Sequence, residues 1–179
     1  MIAAVLGSAT NGLAELETLR SLATVSAVYA VNDAAACYSG PLDAFVTLHP
    51  EKLPEWVALR SYVDSSHKCE YIAHCEGPLV TRVVDYRWPG MNASGSSGLF
   101  AVKVALEKPE NKVVLCGVPM DAMRAHFNNT LPWFEVDSFW SAWTIALPYI
   151  KDRVRSMSGR TAQLLGMPTR EFLTQTAGR

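Results

Sequence analysis

The feature of this sequence that most constrains its fold is the alternation of short apolar runs with segments of helical periodicity. The run from Ile2 to Leu6 is wholly apolar and stops at Gly7, as expected of a strand that is buried on both faces. The leucines that follow recur at helical spacing, at Leu13, Leu16, Leu19 and Leu22. Strands that alternate with helices favour an α/β fold, with three layers, a mostly parallel sheet and helices on both faces.

The same two patterns continue along the rest of the chain. They predict strands at Ile2–Leu6, Ser26–Val31, Ala44–Leu48, Tyr71–His74, Leu79–Val84, Lys112–Cys116 and Arg153–Arg155. They predict helices over Leu13–Leu22, Leu53–Ser61, Leu99–Glu107, Val136–Pro148 and Arg160–Leu165. Since no repeat, low-complexity tract or linker interrupts them, we expect residues 1–179 to form a single domain.

The composition excludes several classes of protein. Hydrophobic residues make up 49% of the 179 and charged residues 18%, so a full core can form and wholesale disorder is excluded. Lys+Arg number 16 and Asp+Glu 17, which leaves no strong nucleic-acid signal. No apolar run reaches the roughly 18–20 residues of a membrane span, and the start has no basic segment typical of a signal peptide.

The cysteines indicate the compartment. They lie at Cys37, Cys69, Cys75 and Cys116, without a CxxC pair. A chain of this size does not need disulfides, so we expect reduced cysteines packed as small apolar residues and a cytoplasmic location. The alternative is a zinc site formed by His67, Cys69, His74 and Cys75, but their spacing departs from that of structural zinc sites.

Small or polar residues follow each of the main predicted strands, and this is the main functional signal. They include the loop Gly7-Ser8-Ala9-Thr10-Asn11, the pair Asn32-Asp33, His49, Asp121 and Ser156. In an open parallel sheet, ligands bind beyond the carboxyl ends of the strands. If the strands are parallel, these residues share one edge of the sheet and face a common ligand.

Two loops are candidates for binding a phosphate or a ribose. In the Gly7–Asn11 loop, glycine permits close approach to a ligand, and the helix that follows offers free N–H groups. The Ser96-Ser97-Gly98 segment offers hydroxyl and amide groups at the start of another helix. In both loops the alternative is a turn with a helix cap. Neither has the dinucleotide-binding pattern, which disfavours a dehydrogenase.

Five other residues are candidates for chemistry. Asn32 and Asp33 can contact a ribose or a base, or can end the strand in an Asx turn. His49 and His126 are candidate general bases, and Asp121 is a candidate ligand of Mg²⁺. The alternative for each is a structural or surface role, which is the role that we expect for His67 and His74.

The aromatic residues cluster in one region, at Trp133, Phe134, Phe139, Trp140 and Trp143. Such a cluster is typical of a core or an interface rather than of a platform for base stacking. An apolar patch of this kind can bury a contact between copies of the chain, so a homo-oligomer is one expectation.

Several of these segments together resemble a known family. The matching stretches are residues 4–8, 31–34, 43–51, 96–106 and 113–121, the last of which reads VVLCGVPMD and carries a G-x-D-like motif with Pro119 before the acid. They look like Rossmann-like proteins related to archaeal 6-hydroxymethylpterin diphosphokinase. They are more distantly similar to bacterial CMP-sialic-acid sialyltransferases. Small bacteriophage-encoded proteins of unassigned role also look similar.

The resemblance covers roughly residues 2–125 and implies that the single domain of residues 1–179 is a Rossmann-like nucleotide-binding domain. In the sialyltransferases the matching positions contact the nucleotide, which here are Gly7, Ser8, Asn32, Ser97 and Gly98. In the pterin enzymes the acid that matches Asp121 is a metal-binding position. We therefore expect a nucleotide or nucleotide-sugar ligand and glycosyl or diphosphoryl transfer to a small hydroxyl acceptor. The alternative is a non-catalytic binding or assembly protein that reuses the fold.

Overall fold

The computed structural model describes residues 1–63, 68–92, 94–122, 126–127 and 135–174. The strands in these residues are β1 (Ile2–Leu6), β2 (Val25–Val31), β3 (Ala44–Thr47), β4 (Glu70–Ala73), β5 (Arg82–Val83), β6 (Lys112–Cys116) and β7 (Val154–Ser156). The helices are α1 (Gly12–Leu22), α2 (Asp33–Cys37), α3 (Leu53–Ser61), α4 (Ser96–Leu106), α5 (Val136–Ile150), α6 (Gly159–Leu165) and α7 (Arg170–Thr174). A short 3₁₀ turn, Pro50–Lys52, precedes α3.

The strands form one sheet in the order β5-β4-β3-β2-β1-β6-β7, and each pair of neighbours runs parallel. Along a strand, successive side chains point to opposite faces. Ala3 and Val5 accordingly pack in one core with α4, α5 and α6. Ala4 and Leu6 pack in a second core with α1, α2, α3 and α7. The predicted three-layer α/β fold, with a parallel sheet and helices on both faces, is confirmed.

The strand order places a crevice beside β1. From β1 the chain builds the sheet outward through β2 to β5, and it then returns to the other side of β1 to form β6 and β7. Ligands of open α/β sheets bind where the order reverses, at the carboxyl ends of the strands. Here that point is the space after Leu6 and Cys116, where Gly7 N donates to Cys116 O at 2.7 Å.

Several elements differ from the prediction: α4 begins at Ser96 rather than Leu99, β5 covers only Arg82–Val83, and the short helix α7 was not predicted. The helix that was expected to stop at Pro148 continues to Ile150. Pro148 lacks only one helical N–H donor, and both Pro148 and Thr144, whose carbonyl would accept that bond, are exposed, so water can replace it. The short helix α2 was not predicted, and the three alanines Ala34, Ala35 and Ala36 bury it against the sheet.

The aromatic residues agree with the prediction where the structure describes them, and of the cysteines Cys116 is packed in the core as expected, whereas Cys75 is exposed. Trp143 is fully buried in the first core, and Phe139 and Trp140 pack against it, whereas Trp133 and Phe134 lie outside the described residues. All four cysteines are free thiols. No three potential metal ligands among His, Cys, Asp and Glu come together in the described part of the chain, and His67 lies outside it. None of the helices in this part has the length and apolar character needed to cross a membrane.

Candidate functional site

A cavity of about 610 Å³ opens at the carboxyl edge of the sheet. Five separate segments that the sequence placed on one rim all reach it, through Gly7, Asn32, His49, Ser97 and Asp121. Counting their neighbours, the predicted site residues that line it are Gly7, Ser8, Asn32, His49, Ser96, Ser97, Gly98, Asp121 and His126. The volume lies within the 300–1,000 Å³ that is typical of small-molecule sites.

The loop between β1 and α1 is held mostly by backbone hydrogen bonds, both within the loop and to the segment after β6. Ala9 N donates to Gly117 O at 3.2 Å, and Gly12 N donates to Ala9 O at 2.8 Å. A Cβ on Gly7 would overlap Gly117 O and a methyl group of Val118, so only glycine lets these two loops meet. The close approach that glycine permits here therefore serves loop packing.

The N-terminus of α1 already has an anion, supplied by the chain itself. Glu15, in the first turn of α1, accepts hydrogen bonds from Gly117 N at 2.7 Å and from the side-chain amide of Asn11. A carboxylate at this end is favoured by the helix dipole. Thr10 and Asn11 do not line the cavity. A ligand phosphate is therefore better accommodated elsewhere on the rim.

A hydrogen-bonded network joins the ends of β2, β3 and α4 at the cavity wall. Thr47 Oγ1 donates to Asn32 Oδ1 at 2.9 Å and accepts from His49 N at 2.9 Å. Leu48 N donates to Ser97 Oγ at 3.2 Å. The Asn32 oxygen is thereby fixed, which leaves its Nδ2 group as a donor with no partner among the described residues.

The N-terminus of α4 reaches the cavity with three consecutive residues, Ser96, Ser97 and Gly98. No side chain caps this helix. Its first amide groups and its dipole are therefore available to an anion or a polar ligand. The Ser96 hydroxyl is buried and makes no hydrogen bond, which is unusual for a buried polar group.

Backbone strain is concentrated at the same cavity. Non-glycine residues rarely adopt positive φ, yet Asn32 (φ 51°), Ser96 (φ 86°) and Met120 (φ 51°) do so, and all three line the cavity. Strain of this kind persists where the surrounding structure enforces it, and it is typical of binding and catalytic sites.

Three histidines border the cavity. The His49 side chain is 53% exposed, and its Nδ1 lies 3.4 Å from Glu51 Oε1. His126 is carried over the first loop by a backbone bridge to Ala9, next to a bond from Phe127 N to Ser8 O at 2.9 Å. His74 was expected to be structural, but it also lines the cavity.

The charge of the described lining is negative or neutral. Asp121 and Glu135 contribute carboxylates, and no described lining residue is Lys or Arg. Mg²⁺ is commonly held by one or two carboxylates together with the phosphates of a substrate. These two acids are compatible with such an ion only if the ligand supplies most of the coordination, so we derive no step through it.

Two more of the predicted site residues lie away from the cavity. Asp33 is the first residue of α2 and does not line the wall. Ser156 is buried at the end of β7, where its hydroxyl lies 2.8 Å from Thr161 Oγ1. Burial and pairing leave Ser156 no access to a ligand.

Other lining residues were not among the predicted site residues. They are Val31, Leu48, His74, Tyr86, Ser94, Gly117, Val118, Pro119, Met120, Glu135 and Phe139. His74 directly follows β4, so the rule that selected His49 after β3 would also have selected it. Tyr86 and Phe139 had no such signal, because they reach the cavity from a loop and from a helix.

Comparison of the chain with protein-family models, with curated proteins and with solved structures gave no match.

Proposed function

We propose that this protein is a transferase that binds a nucleotide-sugar and transfers the glycosyl group to a small hydroxyl acceptor. The observation that carries the proposal is the convergence of Gly7, Asn32, His49, Ser97 and Asp121 on one cavity at the point where the strand order reverses. The strain at Asn32 and Ser96 supports the same assignment.

In this proposal the phosphate lies at the N-terminus of α4, not at that of α1. Neither helix has a side-chain cap, but the start of α4 lies on the cavity, whereas Thr10 and Asn11 at the start of α1 do not, and Glu15 adds a carboxylate to the first turn of α1. Hydroxyl and amide groups of Ser97 and Gly98 hold the phosphate oxygens, and Asn32 Nδ2 donates to the ribose or the base.

The charge of the wall favours glycosyl transfer over diphosphoryl transfer. Transfer of a diphosphoryl group develops several negative charges, which proteins neutralise with Lys, Arg and bound metal. The described lining has no Lys or Arg, and it has two carboxylates. A nucleotide-sugar carries fewer phosphate charges than the triphosphate that donates a diphosphoryl group, so it needs less compensation.

The reaction needs a base, and His49 and His126 are the two candidates. The base takes the proton of the acceptor hydroxyl while that oxygen bonds to the anomeric carbon. The bond from the anomeric carbon to the phosphate oxygen breaks, and its electron pair stays on the phosphate. The α4 amides stabilise the charge that develops there.

Calorimetric titration with CMP, UDP, ATP and GTP, each with and without Mg²⁺, tests the proposal. We expect at least one nucleotide to bind, and Asn32→Ala to weaken that binding by about tenfold or more, the effect of losing a good hydrogen bond in a buried site. Thr10→Ala is the control, since Thr10 is exposed and outside the cavity. Absence of binding for all four nucleotides at millimolar concentration would refute the proposal.

The alternative is a binding or assembly protein that has the fold without the chemistry. That alternative predicts a cleft filled by its own side chains, and the open volume of about 610 Å³ favours a ligand site instead. Mass spectrometry of the nucleotide-sugar after incubation separates binding from turnover. Turnover that is lost in His49→Ala or His126→Ala, with nucleotide affinity retained, supports the transferase.

A further inference from the structure

We infer that Thr47 is a positioning residue, which holds the Asn32 side chain so that its Nδ2 group faces the ligand. The ligand group that meets Asn32 is then one that accepts hydrogen bonds and cannot donate them, namely a carbonyl oxygen or an unprotonated ring nitrogen of a nucleobase. This inference rests on the proposed function, because it assigns the base of the bound nucleotide to Asn32.

The Thr47 hydroxyl is enclosed by the protein and has two hydrogen-bond partners. Thr47 is fully buried and is the last residue of β3. Its Oγ1 lies 2.9 Å from Asn32 Oδ1 and 2.9 Å from His49 N. A backbone N–H can only donate, so Thr47 Oγ1 is the acceptor of the bond from His49 N. The hydroxyl hydrogen is therefore directed to Asn32.

This pairing decides which way the Asn32 amide points. With Oδ1 toward Thr47, the hydroxyl hydrogen has an acceptor. With the amide reversed, Nδ2 would donate to Thr47 Oγ1, and the hydroxyl hydrogen would be buried without an acceptor among the described residues. An unpaired buried donor lowers the population of the reversed form by about tenfold to a hundredfold.

The backbone at both ends of this bond is also fixed. Leu48 N donates to Ser97 Oγ at 3.2 Å, which ties the residue after Thr47 to α4. Asn32 is held at a φ of 51°, a conformation that persists where the surrounding structure enforces it. The Asn32 amide is therefore oriented before a ligand arrives, which lowers the entropy cost of binding.

A fixed amide discriminates between ligand groups that can only donate and those that can only accept. Asn32 lines the cavity and Thr47 does not, so the end of the amide that is turned to the cavity carries Nδ2. A ribose hydroxyl pairs with either end of an amide, because it both donates and accepts. A carbonyl oxygen or an unprotonated ring nitrogen pairs with Nδ2 alone. The orientation that Thr47 imposes therefore assigns Asn32 to the base.

Calorimetric titration of CMP, UDP, ATP and GTP into Thr47 variants tests the positioning role. Thr47→Val has a similar shape but no hydroxyl, so the Asn32 amide can turn, and we expect the nucleotide affinity to fall by about tenfold. Thr47→Ser keeps the hydroxyl and should stay within about threefold of wild type. Thr161→Val is the control, since Thr161 is also fully buried but lies outside the cavity, and it should leave the affinity unchanged.

The double variant of Thr47→Val and Asn32→Ala separates positioning from a purely structural role. If Thr47 acts through Asn32, the double variant binds the nucleotide no more weakly than Asn32→Ala alone. A further loss in the double variant would mean that Thr47 supports the cavity in general, and it would overturn the inference. Wild-type affinity in Thr47→Val would overturn it as well.

Asn32→Asp tests the class of the ligand group. Aspartate has the shape of asparagine and still accepts from Thr47, but it presents an acceptor to the ligand in place of the Nδ2 donor. Saturation-transfer NMR with uncharged nucleosides, namely cytidine, uridine, adenosine and guanosine, avoids repulsion between the new carboxylate and a phosphate. We expect the signal to fall at least as far as in Asn32→Ala. A signal retained in Asn32→Asp would indicate a hydroxyl partner and would overturn the assignment to the base.

A measurement without ligand tests the orientation by itself. The urea midpoints of Thr47→Val, Asn32→Ala and the double variant form a cycle, in which a bond between the two residues makes the combined loss smaller than the sum of the single losses. Additive losses would overturn the orientation of Asn32 by Thr47. Nucleotide binding that is unchanged in Thr47→Val would remove the inference and leave the transferase proposal standing. Absence of all nucleotide and nucleoside binding would refute the transferase and the base contact, whereas a non-additive cycle would still support the orientation.

Discussion

At the scale of single residues, Gly7 is the position where the two central loops come closest. A Cβ there would overlap Gly117 O and a Val118 methyl group, neither of which can move without displacing the chain after β6. We expect Gly7→Ala to lower the free energy of unfolding by about 1–3 kcal/mol, as overpacking does. Urea denaturation followed by circular dichroism measures this change.

Gly90→Ala is the control for Gly7→Ala. Gly90 has a φ of +86°, but the nearest atom to a new Cβ is an Ile145 methyl group at 3.6 Å. Its substitution adds backbone strain of about 1 kcal/mol and no steric overlap. If Gly7→Ala proves no more harmful than Gly90→Ala, the close approach of the two loops is wrong.

Asn32 combines backbone strain with the side-chain amide that we propose as a donor to the ligand, so glycine at this position should separate the two effects. Asn32→Gly relieves the positive φ but loses the bond from Thr47 Oγ1. Each effect is about 1 kcal/mol, so the free energy of unfolding should stay within about 1 kcal/mol of wild type. Nucleotide affinity should still fall by about tenfold, measured by calorimetry.

Leu79→Gly is the matched control for Asn32→Gly. Leu79 has a φ of 66°, is 50% exposed and lies outside the cavity. It should gain stability without any change in nucleotide binding. Equal losses of affinity in both variants would mean that Asn32 makes no contact with the ligand.

At the scale of elements, the contact between α4 and the end of β3 depends on one of two adjacent serines. The Ser97 hydroxyl accepts from Leu48 N, whereas the buried Ser96 hydroxyl has no partner. Ser97→Ala therefore leaves a backbone donor unpaired, which costs about 1–3 kcal/mol. Ser96→Ala removes an unpaired polar group and should leave stability unchanged or slightly higher. Chemical denaturation of both variants compares them, and equal losses would contradict the assignment.

The elements could be predicted from the sequence because their signals are local. The bounds of β1, α3 and β6 agree with the prediction to the residue, since apolar runs and helical periodicity mark them. Four of the five rim segments, at Gly7, Asn32, His49 and Asp121, could also be predicted, because strand ends in a parallel sheet share an edge. The same rule placed Ser156 at this edge, where burial and its bond to Thr161 remove it from the cavity.

The closure of the first loop and the position of His126 could not be predicted, because both depend on contacts between distant segments. Glu15 looks like an ordinary acid in the first turn of a helix, and its bond to Gly117 N spans 102 positions. That bond ties the first turn of α1, where we expected a phosphate, to the loop after β6. His126 reaches the cavity only because its backbone pairs with Ala9, a bridge that no spacing indicates.

At the scale of the whole molecule, the sheet is buried on both faces. The ionisation of a group at its centre therefore changes how the free energy of unfolding depends on pH. Cys116 ends β6, is fully buried, and has a pKa raised by desolvation, with a further increase from Glu15. In the unfolded chain this thiol ionises above about pH 8.5. The folded chain keeps the proton beyond that pH.

Stability should therefore fall as the pH rises above about 8.5, because the unfolded state then binds fewer protons than the folded state. One such group contributes a slope of up to about 1.4 kcal/mol per pH unit.

Cys116→Ala should make the slope shallower by that amount, whatever its own cost in packing at neutral pH. Urea unfolding at several pH values between about 8 and 10.5 measures the slopes. Cys75→Ala, which removes an exposed cysteine, is the control. Identical slopes for wild type and Cys116→Ala would mean that the centre of the sheet is open to water.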